Sequence, residues 1–442
     1  MEITALQKQD WGTFKKMTFR FFCCFFIIYL FPFPIDSIPF LSILLDGHAT
    51  VSEWYAAPFE AYNNGWHKFI PWVGKNIIGL KTPITIFTNG SGDTTYDYVL
   101  LFTHFSFSIF ACIVWTIFDR KRKSYNQAIY WLQVLVRYYL ASAMIGYGMV
   151  KVFHLQMPFP YLSQLVQTFG DKSPMGLAWS FIGYSKAYSA YTGWAEVVGG
   201  FLLLFSRTTL LGSLVVFIVT LNIAMINYCY DVPVKLYSSV LLLMALFLMA
   251  PDVKRVFNVL LGKGTVEKIS FPSMLKSTKT KMAWLIIKAM FIISLLYSTI
   301  SGAISSQEQY GDLRKLPQLY GIYNTETVIR NNDTILPLGT DSTRWKQLII
   351  QFENNAQVKM MNDSLKYYNF IVNDSLKNIL MYSYADTANK STLFYQKDST
   401  SLIITGLIGK DSIQMKFKKF DINKFRLVNR GFHWVNEYPY NR

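Results

Sequence analysis

Seven stretches of mostly apolar residues, approximately 19–35, 98–118, 128–150, 187–205, 208–230, 236–250 and 284–303, constrain this chain more than any other feature. Lipid offers the backbone no water to bond to, and crossing roughly 30 Å at 1.5 Å per residue takes about 20 residues, so each stretch reads as a transmembrane helix. The sixth is short, and the fourth contains Glu196. The first carries Lys15, Lys16 and Arg20 near its start, as a signal peptide would, but Pro32 and Pro34 follow with no small-residue cleavage site, so an uncleaved helix is expected. Hydrophobic types make up 52% of the 442 residues and charged types 16%, which argues against a purely soluble chain.

The formal charge of +16 would suggest nucleic acid in a soluble protein, but its placement says otherwise. Lys8, Lys15 and Lys16 precede the first stretch, Arg120, Lys121, Arg122 and Lys123 follow the second, and Lys254, Arg255, Lys263, Lys268, Lys276, Lys279 and Lys281 precede the seventh. With seven spans these clusters fall on one side, the pattern that retains Lys and Arg in the cytoplasm. The N-terminus is then cytoplasmic, everything after Ala303 lies outside, and the partner implied is a lipid bilayer and not nucleic acid. Lys288, one turn into the seventh stretch, is placed to snorkel. The four cysteines and the lone histidines His48, His67, His104 and His154 lack the spacing of a disulfide framework or a metal site.

From about residue 316 the composition turns polar, and short alternating runs appear at 345–352, 357–361, 365–372, 376–384, 393–396, 402–407 and 413–417. Asn332-Asp333, Asn362-Asp363, Asn373-Asp374 and Gly409-Lys410-Asp411 supply turns between them. The fold class expected is therefore a membrane all-α part followed by a soluble all-β barrel or sandwich. Gly321-Ile322-Tyr323, with Arg426 and Arg430 late in the chain, resembles a lipocalin start in which the tryptophan is replaced, so the β domain is either a ligand-holding barrel or a plain interaction domain. The run 430–442 is dense in aromatic and polar residues and suits a binding surface, a barrel plug or a membrane contact. Asp333-Thr334-Ile335, Asp363-Ser364-Leu365, Asp374-Ser375-Leu376 and Asp411-Ser412-Ile413 are similar to O-glycosylation acceptors of exported Bacteroidetes proteins, and are equally ordinary turns.

Charges within the apolar stretches stand out, because each costs at least about 2.5 kcal/mol to insert. Counting inward from the span ends places Arg137 and Glu196 at a similar depth, so the two are expected to pair, either to lock neighbouring helices in register or to form part of a binding site. Gly193, Trp194, Gly199 and Gly200 lie around the acid, and Tyr147, Asn222 and Asn227 are candidates to extend a polar pocket toward the outer side. Lys151 with His154, and Asp231 with Lys235, form an expected interfacial cluster. The candidate binding set is thus Arg137, Glu196, Trp194, Tyr147, Asn222, Asn227, Lys151 and Asp231, with no metal ligand among them and no catalytic role assigned to any residue.

The segment 128–255, with Arg137, Gly148-Met149-Val150-Lys151 and the run Gly193-Trp194-Ala195-Glu196-Val197-Val198-Gly199-Gly200-Phe201-Leu202-Leu203-Leu204, resembles the DoxX family of small bacterial membrane proteins. The resemblance implies a four-helix membrane core and, from the enzyme after which the family is named, a quinone as a ligand; no flavin, metal or redox-cysteine motif accompanies it. Around that core the sequence divides into 1–127, two helices with a long periplasmic loop containing Gly65-Trp66-His67-Lys68 and Asn89-Gly90-Ser91-Gly92-Asp93, then 256–303, a cytoplasmic loop and the last span, then 304–442, a periplasmic β domain. That long loop reads either as a cap on the core or as an interfacial aromatic belt. The function expected is an inner-membrane protein of a Gram-negative bacterium that binds a lipid-soluble molecule near Arg137 and Glu196; the alternative is a membrane anchor or assembly factor that meets a periplasmic protein through its β domain. A transporter is a third reading, for which no inverted repeat is visible.

Overall fold

A computed structural model describes residues 10–41, 45, 48–86, 90–262 and 277–441. Two compact units form: Met1–Gln156 with Ala187–Ser306, and Met157–Lys186 with Gln307–Arg442. Residues 157–186, inside the expected helical core, pack with the β domain.

The first unit is helical. Its helices are α1 (Thr13–Leu30), α2 (Ala49–Val73), α3 (Thr95–Phe118) and α4 (Asn126–Val152). In the second unit α5 (Leu162–Leu165) and α6 (Pro174–Tyr184) follow, and the chain returns through α7 (Lys186–Leu203), α8 (Thr209–Cys229), α9 (Lys235–Met249), α10 (Val253–Leu260) and α11 (Thr278–Gln309). Among the described residues, five helical stretches are long and apolar enough to cross a membrane: Thr95–Phe118, Asn126–Val152, Ser206–Cys229, Lys235–Leu260 and Thr278–Gln309. Helices also form at the first and fourth expected spans, α1 and α7, where Lys15, Lys16 and Arg20, and Lys186 and Glu196, dilute the apolar run.

Helix α2 occupies what reads in sequence as a loop. Pro58 and Pro71 lie inside it, and its Glu53, Glu60, Asn63 and Asn64 break the apolar pattern. Its aromatic residues hold it instead: Trp66 and Phe69 pack on Phe107 of α3, and Ile70 and Val73 are buried with Tyr96 and Val99. At the other end of α3, Arg20 of α1 is buried at the centre of a polar knot. It donates to the Tyr125 hydroxyl (2.7 and 3.0 Å), Thr116 Oγ1 (2.9 Å) and the Asp119 carbonyl (2.7 Å), and Tyr125 donates to Asp119 Oδ2 (2.8 Å). Every polar hydrogen of such a guanidinium that finds a partner offsets part of its desolvation. Lys288 of α11 rests over the Phe205 ring at 4.2 Å.

The second unit contains a closed β-barrel of eight strands: β1 (Gly321–Arg330), β3 (Trp345–Phe352), β4 (Asn355–Met360), β5 (Leu365–Asn373), β6 (Asn378–Ser383), β7 (Asp386–Lys397), β8 (Ser401–Ile408) and β9 (Asp411–Lys419). They run up and down in sequence order, and β1 pairs with β9 from Tyr323↔Lys419 to Arg330↔Ile413, so the eight strands leave no free edge among themselves. The two-residue strand β2 (Asp333–Thr334) adds a short pairing to the end of β1.

Alternate side chains fill the interior, with Tyr323, Leu348, Val358, Phe370, Leu393, Leu402 and Phe417 all buried. Tyr323 does occupy the core, but Arg426 is exposed and Arg430 lies over Tyr440, so neither late arginine packs beneath it as the lipocalin pattern would have it. The buried arginine of the barrel is Arg344, at the opposite end, which donates to the carbonyls of Ile335 (3.1 Å) and Glu326 (3.4 Å).

Outside the barrel, Ile322 and Ile349 are covered by Leu162, Leu165, Val166, Ile422 and Phe425. Ser163 N donates to Gln351 Oε1 (3.0 Å), and Arg314 lies 5.2 and 5.0 Å from the Tyr161 and Phe352 rings. The segment 157–186 is thus a strap bound to the barrel wall.

Two outcomes are expected. Phe417→Ala deletes a fully buried ring and lowers barrel stability by about 3–5 kcal/mol, read as earlier loss of β circular dichroism in denaturant with the full-length protein. Asp374 is held down to about 2 by Lys377, Tyr395 and Gln318, and Asp398 to about 2 by Ser401 and the Thr400 amide. A depressed carboxylate contributes stability above its unfolded value and loses it as pH falls, so the barrel weakens between about pH 4 and pH 2; a flat stability profile across that window contradicts the assignment.

Candidate functional site

Helices α4 and α7 approach as closely as backbones allow. A Cβ on Gly148 would lie 2.6 Å from the Gly193 carbonyl oxygen, one on Gly193 2.5 Å from the Gly148 oxygen, and one on Gly200 2.9 Å from the Ala141 oxygen. Only glycine permits this antiparallel contact at Gly148 and Gly193. Ser189 Oγ donates to the Lys151 carbonyl at 3.0 Å at the end of the same seam.

This register decides which charges meet. With Gly148 facing Gly193 and Ala141 facing Gly200, Glu196 falls level with Ile145, and Arg137 lies eight residues, or about 12 Å, further along. That gap exceeds what an arginine can span. The expected Arg137–Glu196 pair is therefore not formed: Arg137 donates to Thr209 Oγ1 (3.3 Å) and lies over Tyr138, whereas Glu196 pairs with Lys151, whose stem folds back along α4. Counting depth inward from assumed span ends misplaced Arg137 because the glycine contacts, and not the helix ends, set the register of α4 against α7. Both paired side chains are almost fully buried, at 8% and 2% exposure, and among the described residues Glu196 Oε2 has no hydrogen-bond partner.

The remaining candidates scatter. Trp194, two residues from Glu196 and so on the other side of α7, is half-exposed on the surface of the helical unit, and Asn222 is exposed on α8. Asn227 is buried but is spent on the α8–α9 turn, where its Nδ2 donates to the Val234 carbonyl (3.4 Å). Asp231 is exposed and accepts from Lys235 (2.9 Å), so it too belongs to the turn. Tyr147 is the exception, since its ring meets Tyr237 at 5.9 Å and lines a cleft of about 550 Å³.

That cleft lies between α1, α3, α4, α9 and the loop before α3, and sequence reasoning passed over its central residue. His104, dismissed as a lone histidine, is 6% exposed with its ring edge-on to Trp66 and Tyr29. The 90–94 loop is fixed by Gly92 N donating to the Pro233 carbonyl (2.8 Å) and by Asp93, whose carboxylate caps α9 through the amides of Lys235 (2.8 Å) and Leu236 (3.0 Å). The loop does cap part of the helical unit; Asn89 lies outside the described residues. The signal that marks His104 in the sequence is its position inside an otherwise apolar span.

Fold and site together define a membrane protein in which a helical unit with a buried ion pair is joined to a closed β-barrel. No family model matches the chain, and no solved structure does. It is 31% identical over 140 residues to the uncharacterized protein YwoB of Bacillus subtilis (strain 168), a match covering 32% of this chain and 87% of that protein. The chain belongs to the YwoB family.

Lys151→Met should cost about 3–5 kcal/mol by leaving Glu196 buried without its cation, while Lys151→Met combined with Glu196→Leu restores most of the loss, as apolar replacement of a whole pair commonly does. The check is the thermal unfolding midpoint of each purified variant; equal destabilisation by the single and double replacements goes against the pairing.

Proposed function

We propose that this protein is a seven-span inner-membrane protein, with its N-terminus cytoplasmic and its β-barrel periplasmic, whose DoxX-like core over 128–255 binds a lipid-soluble molecule beside Lys151 and Glu196. A quinone is the first candidate, by the DoxX resemblance. In this reading α1 and α7 supply the two spans beyond the five plainly apolar ones, and the basic clusters at 120–123 and 254–255 lie in the cytoplasm. The observation that carries it is the second carboxylate oxygen of Glu196, buried and without a partner beside an ion pair inside the helical unit. Ionisable groups are costly at such positions, and a carboxylate with one oxygen left over has the capacity to hold a ligand hydroxyl or amide.

A second reading, a membrane anchor acting through the barrel, draws support from the chain end. Phe432, Trp434, Val435 and Tyr438 are exposed after the last strand, Trp434 by 91%. Such a surface fits a periplasmic protein partner.

Mass spectrometry of an organic extract separates the two. A quinone or single lipid co-purifying near stoichiometry with wild type, and at least tenfold less with Glu196→Gln of unchanged fold, supports the core reading. Bulk phospholipid alone in both samples removes it and leaves the barrel as the working part.

A further inference from the structure

The cleft around His104 is built from side chains that the Lys151–Glu196 pair does not use. His104 lies nine residues into α3, about 14 Å along an otherwise apolar helix. Both its ring nitrogens are buried without a hydrogen-bond partner among the described residues. A neutral imidazole has one donor and one acceptor, and burying both without a partner carries a desolvation penalty. At about 550 Å³ the cleft that His104 lines has the size of a small-molecule site, and Tyr29, Tyr147 and Tyr237 line it together with Leu100, Leu101 and Val240.

Charge narrows the occupant. No Lys or Arg lines the cleft among the described residues, and its one carboxylate, Asp97, already accepts from Thr94 N (2.9 Å) and Thr94 Oγ1 (2.5 Å) in the cap of α3. An anion would face that carboxylate with no countercharge, and a cation would leave water for a carboxylate already engaged. A neutral hydroxyl both donates and accepts, so it satisfies whichever His104 nitrogen it meets, in either tautomer. The rings and leucines suit an apolar body attached to it.

We propose that the His104 cleft is a binding site for an uncharged lipophile bearing a hydroxyl group, held by that hydroxyl at the His104 imidazole with its apolar body among Tyr29, Tyr147 and Tyr237. The site stands apart from the Lys151–Glu196 reading and does not depend on it.

The test uses the full chain in phosphatidylcholine nanodiscs, titrated with 4-heptylphenol and, as the matched hydrocarbon, heptylbenzene. The phenol should raise the unfolding midpoint saturably and shift the ring ¹⁵N signals of one of the five histidines; the hydrocarbon should do neither. His104→Phe, which keeps a ring against Trp66 and Tyr29, should weaken phenol binding at least tenfold, and Glu196→Gln should leave it within twofold. Equal responses to phenol and hydrocarbon, or a His104→Phe protein that binds the phenol as wild type does, overturn the proposal. If His104→Phe does not fold, the wild-type spectra decide: no histidine shift specific to the phenol rejects the site. Loss of binding in Glu196→Gln with His104 intact overturns its independence from the pair.

Discussion

The contact between Gly148 and Gly193 fixes much of the helical unit. Because no side chain separates the backbones there, α4 and α7 have a single register, and that register brings Lys151 to Glu196 and carries Arg137 to Thr209. A buried ion pair is weak evidence for stability by itself, since desolvation costs about what the attraction returns. Here it works with the glycine seam: the seam sets the spacing, and the pair penalises any slip, because moving α7 by one turn would leave both charges alone among apolar groups. Ser189, bonding the Lys151 carbonyl, closes the same seam at its end.

The barrel was far more legible in the sequence than the helical unit, for a physical reason. Strand periodicity is local, and the run expected at 345–352 is the observed β3, because alternate residues there face a packed interior and the turns on either side have their own chemistry. The closure was half legible: β1, which pairs with β9 to shut the barrel, contains Asn324, Thr325, Glu326 and Thr327 and shows little alternation, so only its Gly321 start was marked. Helical register is not local. The depth of Arg137 and of Glu196 depends on where two helices cross, and that is set by glycines eleven residues from the one and three from the other. Their separation from the span ends says little about it.

The missed elements share one character: each is held by aromatic packing more than by apolar periodicity. Helix α2 carries acids, asparagines and two prolines, yet Trp66, Phe69, Ile70 and Val73 seat it against α3. His104 was discounted for lack of a neighbouring ligand in sequence, but its neighbours come from α1 and α2, through Tyr29 and Trp66. A residue whose surroundings are assembled from three helices has no sequence signature beyond its own improbability in an apolar span.

The strap at 157–186 links these levels of organisation. It leaves the helical unit a few residues after Lys151 and rejoins it at α7, ten residues before Glu196, so both of its ends are the ends of the helices that hold the ion pair. Ser189 bonds the Lys151 carbonyl beside those ends, while the strap's own Leu162 is buried, and Leu165 partly buried, against the barrel wall. Pulling the strap from Ile322 and Ile349 would expose apolar surface at about 25 cal/mol per Å². A closed barrel has no sheet edge to offer, so the strap binds its wall through side chains and leaves the strands themselves intact.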